Sequence, residues 1–179
     1  MRPRKEDLVR KARKIKLLLL DVDGVLTDGR LSYDDRGREI KRFHVQDGQG
    51  LQWLLSCGIQ VGFVSARVSG AVERRAKELG ISFLFQGVKD KIAVFEGLLQ
   101  TAALKPDQVA FVGDDFVDIG LLKKVGLSIS VADGHPAVQK IVDVVTRASG
   151  GGKAVREISE WLLKTQGKWG TLLKEYGLK

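Results

Sequence analysis

Two aspartates separated by one residue, Asp21 and Asp23, directly follow the apolar run Leu17 to Leu20. Carboxylates beside such a run are costly to bury unless a cation or hydrogen-bond donors compensate their charge. Residues i and i+2 of an extended segment point to the same side. The pair therefore predicts two carboxylates that face one site at the end of a buried strand.

Other polar side chains also follow apolar runs. Ser65 ends the run VGFVS, Lys91 lies in VKDK after the run FLFQG, and several aspartates follow VAFVG. The carboxyl ends of parallel strands meet at one edge of a sheet, where ligands bind. We therefore expect these side chains to share one site with Asp21 and Asp23; the later aspartates are Asp114, Asp115 and Asp118.

Several aspartates at one site indicate a bound metal ion, because neighbouring carboxylates repel one another unless a cation lies between them. The chain has one cysteine, Cys57, and two histidines, His44 and His135, so a zinc site built from thiolates is excluded. Oxygen ligands favour a hard cation, and Mg²⁺ is typically held by one or two carboxylates beside a phosphate group. We therefore predict Mg²⁺ as the cofactor.

The same residue types suit the transfer of a phosphoryl group. Asp21 can attack phosphorus and form an aspartyl-phosphate. Asp23 can donate a proton to the leaving oxygen and later accept one from water. Lys91 offers a positive charge and Ser65 a hydroxyl to the phosphoryl oxygens, whose charge must be stabilised during transfer. These four residues form the predicted catalytic set.

The elements that would position these residues alternate along the chain. Short apolar runs alternate with segments of helical periodicity, which predicts a parallel sheet with helices on both faces. The predicted fold class is therefore α/β, a doubly wound three-layer parallel sheet. The predicted strands are 15–22, 59–66, 81–87, 108–115, 127–133 and 143–147, and the predicted helices are 5–13, 48–58, 69–80, 89–104, 118–126, 136–142 and one within 150–167.

The segment 29–45 interrupts this alternation. Its polar and apolar residues alternate and it turns at Asp34 to Gly37, which predicts a β-hairpin inserted after the first strand. The intervals between Asp23 and Ser65 and between Ser65 and Lys91 hold 41 and 25 residues, which the predicted elements already occupy. The sequence therefore predicts no cap domain, and we expect a neighbouring subunit to cover the site.

The chain of 179 residues is predicted to form a single domain over 1–179, with a basic N-terminal arm (1–16) and a C-terminal helix and tail (150–179). The arm carries a net charge of +6 out of +8, so the remainder is nearly balanced, which argues against a nucleic-acid binder. The arm itself is either a solvated helix or a contact for anionic partners. No apolar run reaches the ~20 residues of a membrane span, so we expect a cytoplasmic protein that does not bind membranes.

The motifs DVDGVLTDG, FVSAR, VKDK and GDDFVD occur in this order. They resemble the four motifs of the haloacid dehalogenase superfamily, whose phosphatases use the first two aspartates as nucleophile and general acid/base. The resemblance implies that Mg²⁺ is held by Asp21, the backbone carbonyl of Asp23 and Asp114, with Asp118 or Asp115 in support.

Longer segments resemble the family of 3-deoxy-D-manno-octulosonate 8-phosphate phosphatases over about residues 10–167: KRFHVQDGQGLQWLL, SARVSGAVERRAKELGI, QGVKDK, GDDFVDIGLLKKVGLSISVADGHPAV and GGGKAVREI. The resemblance implies a Mg²⁺-dependent, uncapped homotetramer of lipopolysaccharide sugar biosynthesis that acts on an acidic sugar phosphate. It assigns substrate contacts to Asp23 and Lys91, to two anion-binding arginines, and to a loop; these are Arg67 and Arg75, and His44, Val45, Gln46, Asp47 and Gly48.

Simpler interpretations stay open for several of these residues. Asp115 and Asp118 can cap the following helix, and Lys89 rivals Lys91. Arg75 can form a surface salt bridge, and His44 can belong to a sheet. The Gly-rich segment at 150–152 is interpreted as a flexible hinge or as part of a region that closes over a site; Asp28 can cap the hairpin or shape the site, and Trp161 and Trp169 can pack on their own core or on a partner.

Three other functions remain to be separated from the main prediction. The motifs SAR and ADG depart from the family pattern, so a phosphatase of nonulosonate 9-phosphates is an alternative. A receiver-like domain also phosphorylates an aspartate, but its acidic pair is adjacent in sequence and its phosphoacceptor lies on a later strand. A nucleic-acid-binding scaffold would depend on the basic arm and on salt concentration.

Overall fold

The computed structural model describes residues 4–178 and contains a six-stranded parallel sheet. The strands are arranged in the order β5-β4-β1-β6-β7-β8, so the first strand of the chain lies in the middle. The strands are β1 (Leu17–Leu20), β4 (Gln60–Val64), β5 (Phe83–Phe85), β6 (Val109–Val112), β7 (Leu127–Ser130) and β8 (Val144–Val145).

Helices cover both faces of this sheet. They are α1 (Lys5–Lys14), α2 (Val45–Ser56), α3 (Gly70–Leu79), α4 (Lys91–Thr101), α5 (Ile119–Leu122), α6 (Pro136–Gln139), α7 (Ala154–Thr165) and α8 (Trp169–Glu175). One core cluster contains residues of α1, α2, α3 and α7, and the other contains residues of α4, α5 and α6. The predicted three-layer, doubly wound fold is confirmed.

The leucines of β1 show how the sheet separates the two cores. Leu18 and Leu20 belong to one cluster, and Leu17 and Leu19 to the other. This alternation follows from the two-residue period of a strand. All four are fully buried because β1 pairs with β4 on one side and β6 on the other. The four leucines therefore make β1 a rigid central support for the residues that follow it.

The predicted hairpin is also confirmed. It consists of β2 (Ser32–Tyr33) and β3 (Glu39–Ile40), which pair antiparallel. Its turn falls at Asp34, whose side chain accepts hydrogen bonds from the backbone N–H groups of Arg36 and Arg38 at 3.0 and 2.8 Å. The paired part is much shorter than the predicted segment 29–45, so most of that segment is loop.

The start of one predicted helix was wrong, and one helix was not predicted. Helix α2 begins at Val45 rather than residue 48, because the Nδ1 atom of His44 accepts a hydrogen bond from the backbone N–H of Gln46 and caps the helix. His44 is therefore a capping residue and not a sheet residue. The sequence analysis also missed α8, which packs onto the core through the buried Leu172.

The described part of the N-terminal arm is helix α1. It packs through Ala12, and Lys11 forms an ion pair with Asp143 at 2.6 Å. Arg2 belongs to the predicted arm but lies outside the described residues. Over residues 4–178, no helix combines the length and the apolar character that crossing a bilayer would require.

Candidate active site

A cavity of about 300 Å³ lies beyond the carboxyl ends of β1, β4 and β6. It brings together most of the predicted catalytic residues, although they are far apart in sequence. Its lining consists of Asp21, Asp23, Gly24, Gly29, Ser65, Ala66, Arg67, Lys91, Asp114, Asp115 and Val117. The expected convergence of strand ends at one edge of the sheet is therefore observed.

Asp21 is held firmly at the end of β1. Its backbone N–H donates to the carbonyl oxygen of Val112 at 3.0 Å, which continues the β1–β6 pairing by one residue. Its Oδ1 atom accepts a hydrogen bond from Lys91 Nζ at 2.6 Å, and the residue is only 7% exposed. One carboxylate oxygen is thus fixed by the lysine, and Oδ2 is left for other chemistry.

Lys91 also joins Asp21 to Asp118. Its ammonium group donates to Asp118 Oδ1 at 2.7 Å, and the other oxygen of Asp118 accepts from the backbone N–H of Asp114 at 3.0 Å. Lys91 is buried at the start of α4, whereas Lys89 is exposed. The geometry therefore favours Lys91 over its rival. We call Asp21, Lys91, Asp114 and Asp118 the sheet-borne cluster.

The sheet-borne cluster has too many negative charges for its one lysine. One oxygen from each of Asp21, Asp114 and Asp118 lies within 4.8 Å of the others, and Lys91 is the cation that contacts two of them. The excess of two negative charges matches a divalent cation, and oxygen ligands suit Mg²⁺. The residues present therefore fit the predicted metal.

The pKa shifts have the same origin. Burial raises the pKa of Asp21 to about 6, although the charge of Lys91 acts in the opposite direction. Burial and the charges of Asp21 and Asp118 raise the pKa of Asp114 to about 7. Burial alone would lower the pKa of Lys91, but the two carboxylates beside it outweigh this effect and raise it. Without a metal, Asp21 and Asp114 therefore keep their protons up to a higher pH than ordinary aspartates do.

Ser65 and the second aspartate complete the cavity. Ser65 is 3% exposed at the end of β4, and its Oγ accepts a hydrogen bond from the backbone N–H of Arg67 at 3.1 Å. Asp23 Oδ1 accepts a hydrogen bond from Lys41 Nζ, and Asp23 Oδ2 lies 3.6 Å from Arg67 Nε. Both oxygens of Asp23 therefore face cations.

Two further residues at the site, Glu39 and Lys41 of the hairpin, were not among the predicted site residues. Glu39 lies 3.3 Å from Lys41 Nζ and accepts a hydrogen bond from Arg67 at 2.6 Å. Their spacing of two residues in a strand was a visible signal that they share a face. It did not reveal that this face packs on Asp23. We call Glu39 and Lys41 the hairpin-borne pair.

Comparison with known proteins agrees with this site. A model of haloacid dehalogenase-like hydrolases matches residues 84–150. The 3-deoxy-D-manno-octulosonate 8-phosphate phosphatase KdsC of Escherichia coli K12 is 45% identical over 166 residues, which are 93% of this chain and 88% of the relative. The chain belongs to the 3-deoxy-D-manno-octulosonate 8-phosphate phosphatase family. It is therefore a phosphoric monoester hydrolase with a haloacid dehalogenase-like fold, as predicted.

Two solved structures of family members contain a bound metal ion. The Moraxella catarrhalis phosphatase, in complex with magnesium ion, phosphate ion and KDO, has a TM-score of 0.94, 39% identity, and coverage of 97% of this chain and 99% of that chain. The cobalt-bound Haemophilus influenzae phosphatase has a TM-score of 0.88 and 41% identity over 93% and 98% of the two chains. Together with the acidic cluster, these structures confirm the prediction of Mg²⁺ as the cofactor.

The segment that the family resemblance assigns to substrate lies outside the cavity. His44, Val45, Gln46, Asp47 and Gly48 are not among its lining residues. They form the cap and first turn of α2 rather than a loop, so the predicted conformation was wrong because His44 starts the helix. Within their own subunit, these residues contact the rest of the fold and not the cavity.

Two of these residues pack on other helices. Asp47 is 2% exposed, and its Oδ1 accepts from the backbone N–H of Arg156 at 2.7 Å. Gly48 leaves no room for a β-carbon because the guanidinium of Arg75 occupies that space. Arg75 lies 3.4 Å from Glu78 and outside the cavity, whereas Arg67 lines the cavity. The two predicted anion-binding arginines therefore occupy different environments.

The two aspartates of uncertain role have local partners. Asp115 is exposed, lines the cavity, and accepts from the backbone N–H of Phe116 at 2.7 Å, so it caps the short turn of 3₁₀ helix that follows. Asp28 accepts from the backbone N–H of Arg30 at 3.1 Å, which is a local turn interaction. Asp118 differs because one of its oxygens is bound to Lys91.

The Gly-rich segment, interpreted from sequence as a flexible hinge or as part of a region that closes over a site, is packed against the loop after β1. Gly151 donates its backbone N–H to the carbonyl oxygen of Val25 at 3.0 Å, and Gly150 donates to Asp133 Oδ1 at 2.8 Å. A β-carbon on Gly150 would overlap the carbonyl group of Gly24. The absence of a side chain therefore permits this close approach.

The tryptophans pack within the subunit. Trp169 lies edge-on to Trp53 with ring centroids 5.6 Å apart, and Trp161 packs against the larger core cluster. Tyr176 accepts a hydrogen bond from Trp53 Nε1 at 2.9 Å, which fixes the end of α8. These contacts support the interpretation that the aromatic residues belong to the chain's own core.

Proposed function

We propose that this protein hydrolyses 3-deoxy-D-manno-octulosonate 8-phosphate to the free sugar acid and phosphate in lipopolysaccharide sugar biosynthesis. The observation that carries the proposal is the sheet-borne cluster, in which Lys91 and the carboxylates of Asp114 and Asp118 lie around Asp21, and Lys91 binds Asp21 Oδ1 but not Oδ2. The substrate assignment rests on the relatives, whose printed names give this activity.

The chemistry proceeds in two steps on Asp21. A carboxylate oxygen of Asp21 attacks phosphorus, the bond between phosphorus and the ester oxygen breaks, and Asp23 donates a proton to that oxygen. A water then attacks the aspartyl-phosphate, Asp23 accepts a proton from it, and phosphate leaves as the carboxylate of Asp21 is restored. The proton that Asp23 gives up in the first step is therefore returned to it in the second.

The other cavity residues stabilise the phosphoryl oxygens. Lys91 and Ser65 are placed to interact with these oxygens, because both are buried at the cavity wall beside Asp21. Asp21, Asp114 and the backbone carbonyl of Asp23 would hold Mg²⁺, with Asp118 in support. When bound, the cation neutralises charge on the phosphoryl group. Arg67 is placed to bind the carboxylate of the sugar acid, a task that suits a guanidinium group.

We further propose that the active assembly is a homotetramer. The hairpin exposes Leu31, Tyr33 and Ile40, each at least half exposed, which is apolar surface available for another subunit. Residues 44–48 and Arg75 lie outside the cavity of their own subunit. We assign the members of this set that are not buried, His44, Val45, Gln46 and Arg75, to the substrate site of a neighbouring subunit, and the buried Asp47 and Gly48 to the support of that segment. Light scattering during size-exclusion chromatography measures this assembly, and a monomer at working concentration would contradict it.

We also propose a cytoplasmic location, in which the single cysteine would stay reduced. The chain's own residues offer no thiolate pair for a disulfide, so an oxidising compartment would add nothing to its stability. Fractionation of expressing cells, followed by an immunoblot, measures the location directly. Recovery in a membrane or periplasmic fraction would argue against it.

The decisive experiment is a substrate panel. The purified protein with Mg²⁺ is assayed for phosphate release from 3-deoxy-D-manno-octulosonate 8-phosphate, a nonulosonate 9-phosphate, glucose 6-phosphate and 4-nitrophenyl phosphate. We expect kcat/KM to be highest for the first by about 10-fold or more. Equal values across the panel would contradict the substrate assignment, and a preference for the 9-phosphate would support the related phosphatase. EDTA should stop turnover in each case.

The covalent intermediate requires a separate measurement. Acid quenching during turnover should trap a phosphoryl group on the peptide that contains Asp21, which mass spectrometry detects. Retention of that group on Asp21 without turnover would instead support a receiver-like domain. Its absence during rapid turnover would favour direct attack by water.

A further inference from the structure

The side chain of Lys41 is only 2% exposed although it carries a charge. Lysines are almost never fully buried unless they are paired. Lys41 Nζ donates to Asp23 Oδ1 and lies 3.3 Å from Glu39 Oε1. A buried ion pair is often no more stabilising than packed apolar side chains. Stability alone therefore does not explain why Lys41 is buried against Asp23, the proposed acid/base, and we look for its role in the reaction.

The local backbone explains how Lys41 reaches this position. Glu39 and Lys41 are two residues apart at β3 and so point to the same side, whereas Ile40 between them is 50% exposed. The hairpin therefore turns its charged face inward and an apolar side chain outward. This reversal of the usual pattern delivers a cation and an anion to the loop that carries Asp23.

Glu39 stabilises both cations that face Asp23. It contacts Lys41 Nζ at 3.3 Å and Arg67 Nη2 at 2.6 Å. A hydrogen bond from Ser69 lowers the pKa of Glu39 most strongly, and Arg67 and Lys41 lower it further, to about 2. Glu39 is therefore ionised at neutral pH. Together with Asp23 it supplies the two carboxyl groups that face the two cations, Lys41 and Arg67.

The two oxygens of Asp23 are not equivalent in this group. Oδ1 is bound to Lys41, whereas Oδ2 is buried and has no hydrogen-bond partner among the described residues. We propose that Lys41 is a positioning residue: it holds Oδ1 so that Oδ2 faces the ester oxygen, and Glu39 keeps Lys41 and Arg67 in place. This inference rests on the proposed role of Asp23 as acid and base.

The proton balance assigns no transfer to Lys41. Asp23 Oδ2 gives its proton to the ester oxygen as the bond to phosphorus breaks, and it takes a proton from the water that attacks the aspartyl-phosphate. Lys41 takes part in neither proton transfer. Its removal should therefore impair the protonation of the leaving group rather than the attack by Asp21.

The test uses two substrates that differ in their need for an acid. An alkyl leaving group, as in 3-deoxy-D-manno-octulosonate 8-phosphate, must be protonated, whereas 4-nitrophenolate leaves with little assistance. The parameter compared is kcat/KM, because it reports only the steps up to departure of the leaving group and not the later attack by water, which both substrates share. We expect Lys41→Met to lower kcat/KM about 10- to 100-fold on the sugar phosphate and only about 2- to 3-fold on 4-nitrophenyl phosphate. Lys41→Arg, which keeps the donor, should recover most of the lost activity on the sugar phosphate.

A matched control separates positioning from general loss of an ion pair. Lys11→Met also removes a lysine that pairs with a half-buried aspartate, Asp143, at a remote part of the fold. We expect it to change both substrates equally or not at all. If Lys41→Met lowers both rates by the same factor, or if Lys41→Arg restores nothing, the positioning role is wrong.

Two further variants test the role of Lys41 even if Lys41→Met does not fold. Glu39→Gln leaves Lys41 in place but loosens it, and we expect the same leaving-group selectivity with a smaller loss. Asp23→Asn sets the limit: adding Lys41→Met to it should cost no further activity, because both act on one step. A further loss in the double variant would overturn the inference.

The Asp23→Asn variant also separates this inference from the proposed function. If its kcat/KM falls equally on both substrates, Asp23 is not the acid and the proposed mechanism fails. If it is selective for the alkyl substrate while Lys41→Met is not, only the role of Lys41 fails.

Discussion

The sheet-borne cluster and the hairpin-borne pair both place a buried lysine beside an aspartate of the DVD motif, but they are supported differently. Lys91 and Asp21 extend from α4 and β1, whose residues are enclosed by the two cores. Lys41 follows β3, a two-residue strand in a separate two-stranded sheet. A two-stranded hairpin has little stability by itself. The proposed nucleophile is thus fixed by the main fold, whereas the proposed acid/base depends on an appended element.

The largest effect should come from the proposed nucleophile. Asp21→Asn keeps the size of the side chain and a hydrogen-bond acceptor for Lys91 but removes the carboxylate proposed to attack phosphorus. We expect turnover to fall on the order of 10⁴-fold or more on every substrate. A phosphate-release assay measures this, and circular dichroism checks that the fold is retained. Substantial remaining activity would exclude Asp21 as the nucleophile.

The next largest effect concerns Lys91. Lys91→Met leaves Asp21 and Asp118 buried without their shared cation, so we expect the free energy of unfolding to fall by about 3 kcal/mol or more at neutral pH. Denaturant titration with and without Mg²⁺ measures this, and Mg²⁺ should recover part of the loss.

The exposed pair of Lys124 and Glu96 offers a control for Lys91→Met. Lys124→Met removes a lysine from a contact of 3.1 Å at the surface, where such pairs contribute within about 1 kcal/mol. If both variants lose the same stability, burial of the sheet-borne cluster has no special energetic role.

The third prediction concerns pH without metal. The pKa values of Asp21 and Asp114 are raised from 3.8 to about 6 and about 7, so between about pH 4 and 7 the folded protein binds more protons than the unfolded chain. The free energy of unfolding should therefore fall as pH rises through this window and level off above it. Mg²⁺ favours the ionised carboxylates and should flatten the decline. Thermal unfolding in EDTA and in Mg²⁺ across this range measures both effects.

The smallest effect should come from the hairpin turn. Asp34→Ala removes the acceptor for Arg36 and Arg38 and should loosen the hairpin by about 1 kcal/mol. We expect activity on the sugar phosphate to fall about 2- to 5-fold with little change in the global melting temperature. Asp35→Ala, at an exposed neighbouring position, is the control. A drop in melting temperature as large as that of Lys91→Met would show that the hairpin and sheet are one cooperative unit.

The same contrast explains what could be predicted from sequence. Asp21, Ser65, Lys91 and Asp114 follow apolar runs, and the strand ends bring them together by the general geometry of parallel sheets. The burial of Lys41 depends on how the hairpin folds back over Asp23, which no local pattern encodes. Local patterns specified the sheet side of the site, and tertiary packing determined the hairpin side.

The missed helix boundaries have a related cause. The prediction began α2 at Gly48, directly after Asp47, a residue type that favours the N-cap position, and so left out the turn from Val45. Gly48 and Gly50 themselves have low helix propensity. Both glycines are buried where α2 meets other helices, and space rather than propensity requires them. The short α8 contains Gly170 and depends on packing of Leu172 and Trp169 for its stability. Close packing between helices overrides local preference in both places.

The contact between Gly150 and Gly24 has a consequence for biosynthesis on the ribosome. The loop after β1, which contains Gly24, leaves the ribosome early. Gly150, whose backbone packs against this loop, is translated only after all six strands of the central sheet. Chains emerge from the N-terminus first. A nascent chain that has not reached residue 150 therefore lacks a wall of its own catalytic loop, so hydrolysis should begin only when synthesis of the domain is nearly complete.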